Sequence, residues 1–137
     1  MMVIKMKRYS IIFLLIFFGC ASNKNFRQIK FGEGGGVTGN ITEYTVNSKG
    51  ELFKKMSLNT EQQKIGKITN DKLKDIIKRS EAVCKNDTIF KPGNYYYFID
   101  VEMKSCRKNF VWSNTNGNSK NDLEEFYNYL NNSIIKH

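Results

Sequence analysis

One histidine, one proline and one tryptophan are all that the 137 residues contain of those types. The histidine is His137, which argues against a Ser-His-Asp or Cys-His mechanism and against a His-rich zinc site. With the single proline, Pro92, goes the lack of any low-complexity linker or solenoid-length repeat, so nothing divides the chain into units. Acidic side chains are scarce: 13 stand against 22 Lys and Arg, a formal net charge of +9. Long apolar runs are missing too. The longest, from Ile11 to Phe18, would rise only about 12 Å as a helix, against a hydrocarbon core of about 30 Å. It does not read as a permanent membrane span.

That run is nevertheless the most telling stretch present. Lys5, Lys7 and Arg8 precede it, Gly19-Cys20 follows at once, and the polar residues 22–25 come next. This is the three-part layout of a secretory signal peptide. Its end resembles the lipobox of bacterial lipoproteins. Gly19 and Cys20 match the motif, while Phe17 and Phe18 depart from its usual leucine and small or branched residue. The resemblance implies that Cys20 becomes the first mature residue and carries palmitate-type acyl chains, two or more of which anchor a protein stably to a bilayer. The alternative is an ordinary signal cut near Ala21, with Cys20 discarded. The expected organisation is a signal at 1–19, a lipidated cysteine and short tether at 20–25, and one domain at 26–137. Ala21, where an Asp would favour inner-membrane retention, tilts the expectation toward the outer membrane.

The signal holds three of the basic side chains and none of the acidic ones, so the mature chain keeps a net charge of +6. Lys104, Arg107 and Lys108 are its densest basic cluster. Such a chain is drawn to anionic lipid or anionic glycan by long-range attraction, unless the lysines serve only solubility. Nucleic acid is not an expected partner of an exported protein. With Cys20 assigned to lipid, Cys84 and Cys106 remain, an even number in an oxidising compartment. They form either a disulfide or two separate thiols with Cys84 on a helix face.

Hydrophobic periodicity predicts strands, helix, strands, helix. Phe26 to Phe31 alternates as a short strand, which Gly32 to Gly36 should break. Val37 to Val46 is rich in β-formers. A turn at 47–50 leads to a hairpin partner from Glu51 to Leu58, and Gln63 to Ile68 suggests another strand. Thr69 or Asn70 caps a helix carrying Leu73, Ile76, Ile77 and Cys84 on one stripe. Residues 86–94 read as a loop. Tyr95 to Met103 is the strongest strand, with Tyr95, Tyr97, Ile99, Val101 and Met103 on one face and Tyr96, Phe98, Asp100 and Glu102 on the other. A turn at 104–109 and a returning strand at 110–112 precede a last helix capped by Ser119, with Leu123, Phe126, Tyr127, Leu130 and Ile134 as its apolar stripe. The expected class is α+β: an antiparallel twisted sheet of about five to six strands with two helices on one face.

Three constellations invite a functional reading. Gly34, Gly36 and Gly39 satisfy G-x-G-x-x-G, but β-formers follow where a dinucleotide site needs a helix. The glycines serve a tight turn or offer their bare amides as an anion nest. Tyr96 and Phe98, or else Tyr95 and Tyr97, occupy any sheet face that lacks helices and become candidates for an interface. Gly34, Gly35, Gly36, Tyr96 and Phe98 are therefore the candidate partner-binding residues. Asp100 and Glu102 share a strand face, as an acid–base pair or a calcium site would, but a charged sheet surface neutralised by Lys104 and Arg107 is the better reading.

The stretches Phe31 to Gly39, Pro92-Gly93-Asn94-Tyr95 and Val111-Trp112 together resemble a group of small bacterial envelope lipoproteins that carry no assigned activity. The resemblance covers nearly the whole mature chain and implies a fold, with no catalytic residue, metal or cofactor. The expected role is a lipid-anchored, non-enzymatic accessory domain that binds an envelope protein or anionic glycan. A small inhibitor or immunity-type protein, inserting residues 32–39 or 104–109 into an enzyme's cleft, is the alternative. A hydrolase built on Asp100 and Glu102 is the third.

Overall fold

The computed structural model describes residues 24–57, 61–113 and 121–135. The expected signal, Cys20, most of the tether and the Ser119 cap lie outside those residues. Nine elements follow one another: β1 (Phe26–Gly35), β2 (Asn40–Asn47), β3 (Glu51–Met56), β4 (Gln63–Lys67), α1 (Asn70–Val83), β5 (Phe90–Lys91), β6 (Tyr95–Met103), β7 (Arg107–Trp112) and α2 (Asn121–Ile135). The strands form one sheet in the order β4-β3-β2-β1-β6-β7-β5. Every pairing is antiparallel except that of β5 with β7. The α+β class with two helices is as the sequence suggested, but the sheet has seven strands, more than the five or six expected.

The extra strand is β5, which lies inside the expected 86–94 loop. It is two residues long, and the Val111 amide donating to the Ile89 carbonyl at 2.8 Å extends its hold on β7. Elsewhere the boundaries move. The glycines do not break β1, which runs on to Gly35; the turn is confined to 36–39, so β2 starts at Asn40 and not at Val37. Likewise β7 begins at Arg107, inside the stretch read as a turn.

Alternation builds the core on one side of the sheet. Ile29 and Phe31 of β1, Val46 of β2, Leu52 of β3, Ile99 and Val101 of β6 and Phe110 of β7 are all essentially solvent-free. A register shift between Phe26 and Gln28 changes the parity of β1, and Phe26 is buried as well. Such a bulge re-aims side chains at a strand end. Leu73, Ile76 and Val83 of α1 and Leu123, Phe126, Tyr127 and Leu130 of α2 close the same cluster. Both helices thus cover one face. Thr69 caps α1 by accepting from the Lys72 amide, with Asp71 in the first turn, an arrangement worth about 1 kcal/mol. Arg79 of α1 sits 4.2 Å from the Tyr129 ring of α2, and the Tyr129 hydroxyl donates to Asp75. Cys84, at the end of α1, is joined by a disulfide to Cys106 in the turn between β6 and β7, their Cα atoms 6.2 Å apart.

One edge of the sheet is pinned by charge. Glu51 of β3 accepts from Lys64 of β4 at 2.6 Å and from the Asn47 amide at 2.8 Å. These bonds hold its carboxyl down to about 2, from an ordinary 4.5. A folded value below the unfolded one means stability that is present above pH 4.5 and lost as pH falls toward 2. The pair is exposed, so the contribution is small. An NMR titration should show the Glu51 and Lys64 amides shifting together in that window. The Glu51→Gln variant should lose the response.

Candidate functional site

The two faces of the sheet end differently. On the side without helices, register aligns the side chains into rows across the strands. Ile41 of β2, Gly34 of β1 and Tyr96 of β6 make one row. Gly32 of β1, Phe98 of β6, Val111 of β7 and Phe90 of β5 make the next. Tyr96 and Phe98 lie across the two glycines. A Cβ on Gly34 would come within 2.9 Å of the Tyr96 ring, and one on Gly32 within 3.0 Å of Phe98. This is how aromatic side chains cover the bare backbone of a strand glycine. The result is an apolar stripe over five strands, exposed at its ends, where Phe90 is 76% exposed, half-buried at Tyr96 and Phe98, and buried at Val111.

Charged residues border the stripe. Lys30 pairs with Asp100 and Gln28 with Glu102 on the same face. Glu102 accepts from Gln28 at 2.9 Å and from Arg27 at 3.4 Å. Those bonds lower its pKa, the Gln28 bond most. Burial raises the Asp100 carboxyl, opposed by Lys30 and Arg107. The two carboxylates proposed as a hydrolytic pair therefore lie on a sheet surface among cations. Neither lines the clefts described below.

The glycine turn is built for geometry. Gly35, Gly36 and Gly39 have φ of 99°, 78° and 61°, a region that glycine enters without strain. The Gly36 amide donates to the Asn94 carbonyl at 2.6 Å and the Gly39 amide to the Gly36 carbonyl at 3.2 Å. Both amides are thus engaged within the protein, which leaves little for an anion nest. The chain passes from strand to turn to strand, without the helix that a dinucleotide site requires. Val37 stands at the tip, fully exposed.

The helix-bearing side holds a feature that the sequence reading missed. Glu33 follows Ile29 and Phe31 in the alternation of β1, so it points toward the helices, opposite Tyr97. There the core gives way to a cleft of about 240 Å³ between α2 and the ends of β1, β6 and β7. Its aromatic wall is Tyr97, Trp112 and Tyr127, with centroids 5.1 Å apart for Tyr97–Tyr127 and 5.8 Å for Trp112–Tyr127. Tyr95 packs edge-on against Tyr97 at 5.6 Å. Glu33 from the sheet and Glu124 from the first turn of α2 bring carboxylates, and Asn128 and Asn131 bring amides. Partial burial, then a hydrogen bond to Glu33, push the Tyr95 hydroxyl up to about 12. Burial pushes Tyr127 to about 12 as well, with the negative charge of Glu33 adding to it. A second cleft of about 240 Å³ lies between the helices, around Arg79, Asn86, Asp122 and Glu125.

The structure therefore separates the candidate residues. Tyr96 and Phe98 face the open side and touch Gly34 and Gly32; Gly35 and Gly36 form the adjoining turn. Tyr95 and Tyr97 belong to the opposite side. Among the described residues, no three His, Cys, Asp or Glu side chains group as metal ligands, and no helix is long and apolar enough to cross a membrane. No protein-family model matches the sequence, and no curated protein does.

Proposed function

We propose that this chain is a lipid-anchored, non-enzymatic binding module of a bacterial cell envelope. It is held by acylated Cys20, with the outer membrane favoured over the inner. It docks an envelope protein on the open face of its sheet. The observation that carries the reading is the helix-free stripe of Ile41, Tyr96, Phe98 and Phe90, in which Ile41 and Phe90 are exposed and Tyr96 and Phe98 half-buried. Apolar surface left uncovered on a sheet face is costly in water and marks an interaction site. The disulfide supports the compartment, because such bonds persist in oxidising surroundings. Charged neighbours such as Lys30, Asp100, Glu102 and Arg107 supply the polar rim usual for a docking surface.

The test has two arms. Metabolic labelling with palmitate should mark the protein and leave Cys20→Ala unmarked and released from membranes. Crosslinking in intact membranes should capture one partner, and Tyr96→Ser with Phe90→Ser should abolish capture. An unlabelled, freely dissolved protein sinks the anchor; capture that survives both serines sinks the docking face.

The exposed apolar tip of the 36–39 turn favours a second reading, an inhibitor or immunity-type protein that inserts Val37 into an enzyme's cleft. In that case Val37→Asp breaks a stoichiometric complex while the sheet-face variants leave it intact.

A further inference from the structure

We infer that the cleft between Glu33, Trp112, Tyr127 and α2 is a binding site for an organic cation, a primary ammonium or guanidinium group. This site is on the opposite side of the sheet from the docking stripe, and the inference stands independently of that reading.

Position is the first argument. Two residues before Glu33 in the alternation, Phe31 is fully buried, and Ile29 before it likewise. A carboxylate in the next helix-facing place is tolerated because it lines the cleft and is only half-buried there. Tyr95 supplies Glu33 with one hydrogen bond, while a carboxylate accepts up to about four. Charge is the second argument. The sequence carries an excess of nine positive charges, yet among the described residues that line this cleft there are two carboxylates and no Lys or Arg. Anionic ligands are repelled from it, so an anionic glycan belongs elsewhere on the molecule.

The aromatic lining favours an organic cation, although Trp112 and Tyr127 are each only 6% exposed. Trp112 and Tyr127 stand at 90° and Tyr97 and Tyr127 at 62°, forming an aromatic corner beside the carboxylates. The negative face of such rings attracts cations, Trp best. Asn128 and Asn131 offer carbonyl oxygens to N–H donors. Among the described residues no three His, Cys, Asp or Glu side chains group there as ligands for an inorganic dication.

Trp112 is the only tryptophan, so its emission, excited selectively, reports occupancy. The intact protein would be titrated at pH 7 with agmatine and with a blocked Gly-Arg-Gly peptide. N-acetylglucosamine and calcium chloride serve as the neutral and inorganic comparisons. A saturable change with either cation, weakened at least about tenfold by Glu33→Gln and reduced by added salt, supports the site. Tighter binding of agmatine identifies a free amine as the source, and tighter binding of the peptide a protein side chain. Should Glu33→Gln fail to fold, Glu124→Gln serves in its place. The inference is overturned by a flat response to both cations, by an equal response to the sugar or calcium, or by unchanged binding in a folded glutamine variant.

Discussion

Gly32→Ala is expected to cost about 3 kcal/mol, although it adds a single methyl group. The added Cβ would collide with the Thr42 carbonyl oxygen of β2 and press on the Phe98 ring at 3.0 Å. Phe98 can turn aside. The carbonyl cannot, because it belongs to the backbone of β2, which is locked between β1 and β3. The strands would have to part at the centre of the sheet. A loss of that size corresponds to roughly 12 °C in the melting temperature of a domain this long. Gly66→Ala provides the control, since nothing lies within 4 Å of a Cβ there; it should leave the midpoint nearly unchanged. Urea unfolding of the three proteins settles the matter. Equal midpoints for Gly32→Ala and Gly66→Ala would show that the sheet gives way where the geometry says it cannot.

Removing the disulfide should have an effect of similar size through a different route. The bridge spans 22 residues, and closing such a loop in the unfolded chain is worth about 3 kcal/mol in the chain-entropy account. The double variant Cys84→Ala, Cys106→Ala should therefore unfold at lower urea. A reductant should lower the midpoint of the wild type and leave the variant where it is. Local loosening should concentrate where the bridge acts, at the end of α1 and in the β6–β7 turn. Met103 lies beside it, its sulfur 4.0 Å from that of Cys84. Hydrogen exchange at those amides should rise first. Quantitative alkylation of both cysteines in the folded protein, without reductant, would contradict the bridge.

Elements that declare themselves locally were legible in the sequence. Tyr95 to Met103 alternates strongly enough to fix both its span and its faces. Thr69, Asp71 and the stripe of Leu73 and Ile76 announce α1 through its cap and period. The glycine stretch misled because strand glycines are licensed by residues far away in sequence. Gly32 and Gly34 stay extended because Phe98 and Tyr96, brought alongside by register, cover them. Local propensity cannot register that pairing. The two residues of β5 are too few to show a period, and they are held by β7. The cleft was missed for the same reason as the length of β1. Had the strand been carried through the glycines, counting by twos from Ile29 and Phe31 would have put Glu33 on the helix side.

The margins of the sheet bear on how neighbouring copies behave. At one margin β4 is short, carries Lys64 and Lys67, and is interrupted by a register shift opposite Leu52 and Phe53. At the other, β5 offers two residues. Lysines, kinks and brevity are the means by which natural sheets refuse another chain's strand. Molecules concentrated side by side at high density can therefore jostle without zipping into fibres, and whatever assembles on them does so through side chains and not through shared backbone.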